Sequence, residues 1–227
     1  YCLNLDLANT KFISIFMLNI FATGKSDMLM RPTNNTSAFH ATDHDLWEYI
    51  LVANPGKEVS EKIMIEKTIF DISYDQDIAA KTTPHIPIAS FLAKEVMELT
   101  LNRWIQNVCN LHHAFDVTLN NYSSFPPHTI YLRVLDPVPL KKLANQLKII
   151  DAFIQTNDLP NACMAGTPHV AVASKLPEHV YDKAVRDYAQ RCFCESFRVE
   201  KIVLLKRSWE GAKYELVNTF TLAPYMA

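Results

Sequence analysis

Two histidines sit in nearly the same phrase. His85 follows Thr82-Thr83-Pro84 and precedes Ile86-Pro87-Ile88-Ala89-Ser90, while His169 follows Gly166-Thr167-Pro168 and precedes Val170-Ala171-Val172-Ala173-Ser174. An imidazole titrates close to neutrality, so a pair can divide the work of phosphoryl chemistry: one takes a proton from a nucleophile, the other gives a proton to a leaving oxygen. That chemistry needs no metal and no cofactor. A lone histidine on an apolar strand is more often a hydrogen-bonded structural group, and it is the duplication in matched contexts that singles these two out. The remaining six, His40, His44, His112, His113, His128 and His179, have no such pairing and read as surface or loop residues. His40 and His44 stand four residues apart, but in a polar stretch without helical period, so no metal site is read there.

Side chains alternate along a strand, so His85 shares a face with Pro87 and Ala89 while Ile86 and Ile88 point into a core; His169, Ala171 and Ala173 repeat the pattern against Val170 and Val172. Around these strands the same order of elements recurs. A strand at WEYILVANP stops at Asn54-Pro55, a helix follows over Glu58 to Phe70, and then comes the first histidine strand. Lys94 to Leu111 reads as a helix, with Val96, Leu99, Leu101, Ile105 and Val108 on its apolar side, and FDVTLNNY as a strand. The second round runs from TIYLRVLDP through a helix at Leu140 to Ile154, the second histidine strand and a helix at Glu178 to Cys192. The runs FRVEKIVLLKRS and YELVNTFTLAP close the chain as strands. Near-equal separations of the corresponding prolines, histidines and phenylalanines predict an α+β fold. Two lobes related by a pseudo-twofold each carry a mainly antiparallel sheet packed on helices, with the histidines facing across the groove between lobes. Residues 46–222 form this domain, 1–45 an N-terminal extension without regular period, and 223–227 a short tail.

At 227 residues, 49% hydrophobic and 20% charged, the composition is that of a globular protein with a sizeable core. A net charge of −2 argues against a broad nucleic-acid coat, so a polyanion has to be met at one site. The five cysteines are odd in number and lack a CxxC pair, which fits a reduced, cytoplasmic protein. The apolar run Phe12 to Ala22 is too short to span a bilayer. The Gly24-Lys25-Ser26 triplet lacks the upstream glycine of a phosphate loop, and the sequons at Asn34, Asn35 and Asn121 read as chance. Nothing demands more than a monomer.

The paired histidine strands, the opening YILVANP, the linking FDVTLNNYSSFPPHTIYLRV and the closing strands together resemble the two-histidine phosphoesterase superfamily, in its 2′-5′ RNA ligase-like branch, over about Leu46 to Leu222. The resemblance implies cleavage of cyclic or 2′-5′ phosphodiesters on RNA ends or small nucleotides, or the reverse ligation, with His85 and His169 as acid and base. It also implies a Thr or Ser two residues after each histidine to hold the phosphate. Pro87 and Ala171 stand there instead, and neither side chain can donate a hydrogen bond. Strand parity puts Ser90 and Ser174 on the other face. Substitute phosphate partners are Arg133, which alternates with Leu132 and Val134, and Lys206-Arg207 at the end of a β-run in the second lobe. Phe125 and Tyr131 can stack a base, although core packing competes for them. The double loss of hydroxyls opens a second reading, a module that binds RNA ends or nucleotides with little catalysis. A third leaves the histidines merely packed in an interaction protein.

Overall fold

The computed structural model describes residues 46–208 and 212–224. The expected extension at 1–45, with its apolar run, glycine triplet and first two sequons, lies outside them, as does most of the tail. The elements are β1 (Leu46–Ala53), α1 (Lys57–Tyr74), β2 (Ile86–Lys94), a 3-10 turn (Glu95–Met97), α2 (Glu98–Asn110), β3 (Phe115–Phe125), β4 (Thr129–Val134), α3 (Val138–Leu147), α4 (Ile149–Gln155), β5 (Cys163–Met164), β6 (His169–Ala173), α5 (Glu178–Tyr188), β7 (Cys194–Val199), β8 (Lys201–Arg207) and β9 (Glu215–Thr221). They build an α+β fold with one sheet in the order β5-β2-β1-β8-β9 and another in the order β6-β4-β3-β7, paired antiparallel throughout. The histidine-bearing strands β2 and β6 come from different sheets and approach each other.

Period-two patterning decides which face of each strand is buried against helices. In β1, Tyr49, Leu51 and Ala53 enter the common apolar core, while Ile50 and Val52 take the other face. The helices then exchange partners. α1, which the chain makes between two strands of the first sheet, packs on β6 and β7 of the second, and α3 packs on β2 of the first. α2 lies against β9, α3 and α4, and α5 against β3 and β4. An aromatic cluster seals the α1–α5 seam: Phe70 lies 5.7 Å from Tyr188, which meets Tyr122 of β3 edge-on at 4.8 Å.

Both histidine strands carry a bulge at the same place. The β1–β2 register steps between Leu51 and Val52, leaving Ile88 without a partner, and the β4–β6 register steps between Ile130 and Tyr131, leaving Val172 without one. Each bulged residue stands three places after its histidine, so the internal repeat extends to the backbone irregularity itself. Pro87 sits one residue before the first bulge, in a part of β2 that β5 does not reach, which is where a residue without an N–H is tolerated.

Several boundaries differ from expectation. The run FRVEKIVLLKRS is two strands in different sheets, β7 ending at Val199 and β8 beginning at Lys201. The alternation shifts phase at this point: Val199 is buried, Glu200 and Lys201 are both exposed, and burial resumes at Ile202. β8 thus belongs with the first histidine's sheet and not with the second. The single helix expected at Leu140 to Ile154 is parted at Lys148 into α3 and α4. Because β2 runs through Lys94 and a 3-10 turn resets the phase, Val96 and Leu99 are 88% and 71% exposed instead of buried. His112 is buried and hydrogen-bonded to Gln146, not a surface residue, because the end of α2 tucks it against α3.

Phe70 is fully buried and Ile72 is 77% exposed on the same helix. Phe70→Ala is expected to cost about 3–5 kcal/mol of unfolding free energy by chemical denaturation, and Ile72→Ala less than about 0.5 kcal/mol.

Candidate active site

The Thr-Pro-His phrase acquires a physical meaning at the imidazoles. Nδ1 of His85 lies 2.9 Å from the carbonyl oxygen of Thr83, and Nδ1 of His169 lies 2.7 Å from that of Thr167. A carbonyl can only accept, so Nδ1–H donates in both turns and Nε2 is left as the nitrogen able to exchange a proton. The intervening Pro84 and Pro168 fix φ and so hold the short turn in which this bond forms. His169 is buried, with 6% of its surface exposed, and His85 is partly exposed.

On the second sheet, four of the sequence-predicted residues gather around His169. Arg133 is its cross-strand partner, and Tyr131 is the partner of Ala171, so all four side chains share one face. The Tyr131 ring stacks on Phe125 with centroids 4.2 Å apart, and each ring lies 5.0 Å from the imidazole. Tyr131 is buried and Phe125 half-buried, so they form a wall for the histidine as well as core, while Arg133 is exposed beside it.

The first sheet corrects two expectations. Lys206 pairs with Tyr49 across β1 and β8 and lies on the helix-packed face, held by Glu95 and Glu98 and placed 4.6 Å over the Trp47 ring. Arg207 shares the face of Ile50 and Val52, but it hydrogen-bonds Glu48 at 2.6 Å and stands opposite that residue. Glu48 and Ala53, the partner of Ile86, are five residues apart in β1, roughly 17 Å at about 3.3 Å per residue. Neither cation is beside His85; with β8 in the first sheet, one parity step sends Lys206 outward and the strand's length carries Arg207 away.

The bulge at Ile88 also reverses the parity of the residues after it. Val52 pairs with Pro87 and Ile50 with Ser90, so Ser90 falls on the face of Pro87 and His85 and not on the opposite one. It is 2% exposed and its hydroxyl has no hydrogen-bond partner among the described residues. Ser174 lies beyond the end of β6 and is exposed.

Sequence patterning missed Lys67 of α1, which is buried near His85. Desolvation pulls its ammonium down to about 8, against the favourable charge of Asp71. The imidazole pKa of His85 is lowered by burial, opposed by the bond to Thr83, and lowered further by Lys67. That of His169 is lowered by burial, opposed by the bond to Thr167, and lowered further by the charge of His85, in line with the approach of β2 to β6. Among the described residues no group of three or more His, Cys, Asp or Glu side chains could hold a metal ion. A separate surface cavity of about 460 Å³ between the end of α1 and α5, lined by Ile72, Tyr74, Gln76, His179 and Lys183, contains none of the candidate residues.

Folded-state values below the ordinary 6.5 mean that the unfolded chain binds protons the folded chain does not. The stability these groups contribute is complete above about 6.5 and is lost as pH falls toward the folded values. Denaturation midpoints should therefore fall as pH is lowered below about 6.5. The His85→Ala, His169→Ala double variant should show a shallower slope, with His112, also lowered by burial, retaining part of it.

A profile of the 2′-5′ RNA ligase superfamily matches residues 62–210. A search of curated proteins finds no match. Among solved structures, E. coli LigT in apo form superposes with a TM-score of 0.59 at 17% identity, covering 78% of this chain and 98% of LigT. A Thermus thermophilus protein gives 0.58 at 15% identity, covering 79% of this chain and 100% of its own. A crystallised phosphoesterase gives 0.56 at 15% identity, with 77% and 97% covered. LigT has also been crystallised with 3′-AMP, with phosphate and with ATP. The likeness to these structures is one of fold, and the profile match spans well over half of the chain, which belongs to the 2′-5′ RNA ligase superfamily.

Proposed function

We propose that this chain, through residues 46–222, is a phosphodiesterase acting on cyclic or 2′-5′ phosphodiesters of RNA ends or small nucleotides. The observation that carries the reading is the pair of matched turns, each leaving Nε2 of one imidazole available, on strands that approach each other. The rings' mutual repulsion disfavours two imidazolium ions together, so the pair is suited to holding a single proton, one ring as base and the other as acid, the state that acid–base catalysis requires. In hydrolysis of a 2′,3′-cyclic phosphate, the neutral Nε2 takes a proton from water as its oxygen bonds to phosphorus. The bond from phosphorus to one ribose oxygen breaks, and the protonated Nε2 of the other ring supplies that oxygen with its proton. The products are a phosphomonoester and a free hydroxyl.

Arg133, beside His169 and at the site's exposed edge, is suited to the phosphate charge that Pro87 and Ala171 cannot meet. Phe125 and Tyr131 brace His169 and present an aromatic surface to a base. The nucleotide complexes of LigT support ligands of this class. Cys109, Cys163, Cys192 and Cys194 are all free, in keeping with a reducing, cytoplasmic compartment. No helix among the described residues is long and apolar enough to cross a membrane.

The test is turnover of a short RNA ending in a 2′,3′-cyclic phosphate, without added metal. His85→Ala and His169→Ala should each lower it by about 10² to 10⁴-fold. Undiminished turnover in either would overturn the assignment, and RNA binding without turnover in the parent chain would establish the binding-module reading. Arg133→Ala should weaken substrate binding, raising KM about tenfold with a smaller change in kcat. Pro87→Thr with Ala171→Thr should raise the rate by about 10² or more if phosphate donors alone are lacking.

A further inference from the structure

Lys67 is 1% exposed, an unusual place for a cation. Its ammonium donates to the carbonyl oxygen of Ala79 at 3.1 Å and to Oγ1 of Thr82 at 2.8 Å. One turn further along α1, the carboxylate of Asp71 accepts the backbone N–H groups of Ile78, Ala79 and Ala80 at 3.3, 3.0 and 2.9 Å. Two side chains at i and i+4 thus grip one segment, and that segment ends in the Thr83-Pro84-His85 turn. The same helix packs on β6, the strand that opens with His169.

We propose that Lys67 is the positioning residue for His85: from α1 its ammonium fixes the loop 79–83, and with it the imidazole, relative to His169. The inference rests on the two-histidine reading above. An apolar side chain could fill the space without the cost of desolvating a charge. What the ammonium adds is directional donors and a positive potential next to the imidazole. Between two groups that must meet one phosphorus, an error of an ångström costs about 10²-fold in rate, so a loop tied to the helix that packs on the opposite sheet has a direct catalytic consequence. The charged groups bearing on His85 are Lys67 from α1 and His169 from β6, with Asp71 behind Lys67.

The experiment compares Lys67→Met, Thr82→Val and Thr82→Ser in the full chain. It reads kcat and KM on the cyclic-phosphate RNA and the titration of both imidazoles by NMR. Lys67→Met should lower kcat about tenfold or more with KM nearly unchanged. The His85 titration midpoint should rise as the positive charge is removed, and that of His169 should move less. Thr82→Val keeps the ammonium and its bond to Ala79 and loses the shorter bond to the loop's hydroxyl, so kcat should fall while the His85 midpoint stays low; Thr82→Ser should behave as the parent. A folded Lys67→Met with unchanged kcat and unchanged His85 midpoint overturns the proposal. If Lys67→Met does not fold, parental turnover in Thr82→Val overturns it. Absence of turnover in the parent chain would sink the phosphodiesterase reading, and the NMR titration would still decide the role of Lys67.

Discussion

Each imidazole is tied by Nδ1–H to the carbonyl of a threonine two residues upstream, across a proline. This bond sets the tautomer, the ring orientation and the identity of the free nitrogen in one step, and it does so identically in both halves. A proline between threonine and histidine is what allows so short a loop to hold its shape, because φ is fixed and the residue before it is biased toward extended backbone. The histidine strands can then leave in register with β1 and β4, and the bulges at Ile88 and Val172 end the regular pleat at the same distance from each histidine.

Two such turns make one site only if the sheets that carry them are held at a fixed separation. The helices provide this by crossing over: α1 is made between strands of the first sheet and packs on the second, and α3 does the converse. Separating the sheets would expose the apolar faces of both helices, so the groove is secured by the same burial that forms the core. The aromatic seam of Phe70, Tyr188 and Tyr122 is part of that coupling on the second sheet. Lys67 and Asp71 project from the same α1 to the loop before His85, extending the crossing from packing to polar geometry.

The repeated Thr-Pro-His phrase made the histidine pair, the α+β class and the doubling legible, because local turn chemistry and period-two patterning are written in neighbouring residues. Alternation carries Arg133 off the core face, and the structure gathers it with Tyr131 and Phe125 at His169, a grouping that residue types alone do not show. The features that patterning missed depend on register and connectivity. Ser90 was put on the wrong face because one bulge reverses parity, and no residue type announces a bulge at Ile88. Lys206 and Arg207 read as groove residues only while FRVEKIVLLKRS is taken as a run of the second lobe, and the chain changes sheets within it at Glu200. Lys67 was invisible since a lysine on an amphipathic helix reads as solvated, and only the return of the chain at Ala79 to Thr82 encloses it.

The absence of hydroxyls at Pro87 and Ala171 changes the physical character of the proposed site. Two neutral donors fixed on strands would be insensitive to salt, whereas the nearest replacement on the second sheet is an exposed guanidinium on Arg133, whose attraction for phosphate is screened over about 8 Å at physiological ionic strength. The buried charge of Lys67 is sheltered from that screening, but its donors are already committed in part to Ala79 and Thr82. On the proposed reading, phosphate capture and proton transfer are therefore carried by different kinds of interaction: an outer, screened cation draws the ligand in, and an inner, desolvated one keeps the His85 imidazole in place. A site divided in this way depends less on complementarity to phosphate oxygens than on how rigidly the two imidazoles are held, which returns the burden to the Thr-Pro-His turns and the helix that crosses between the sheets.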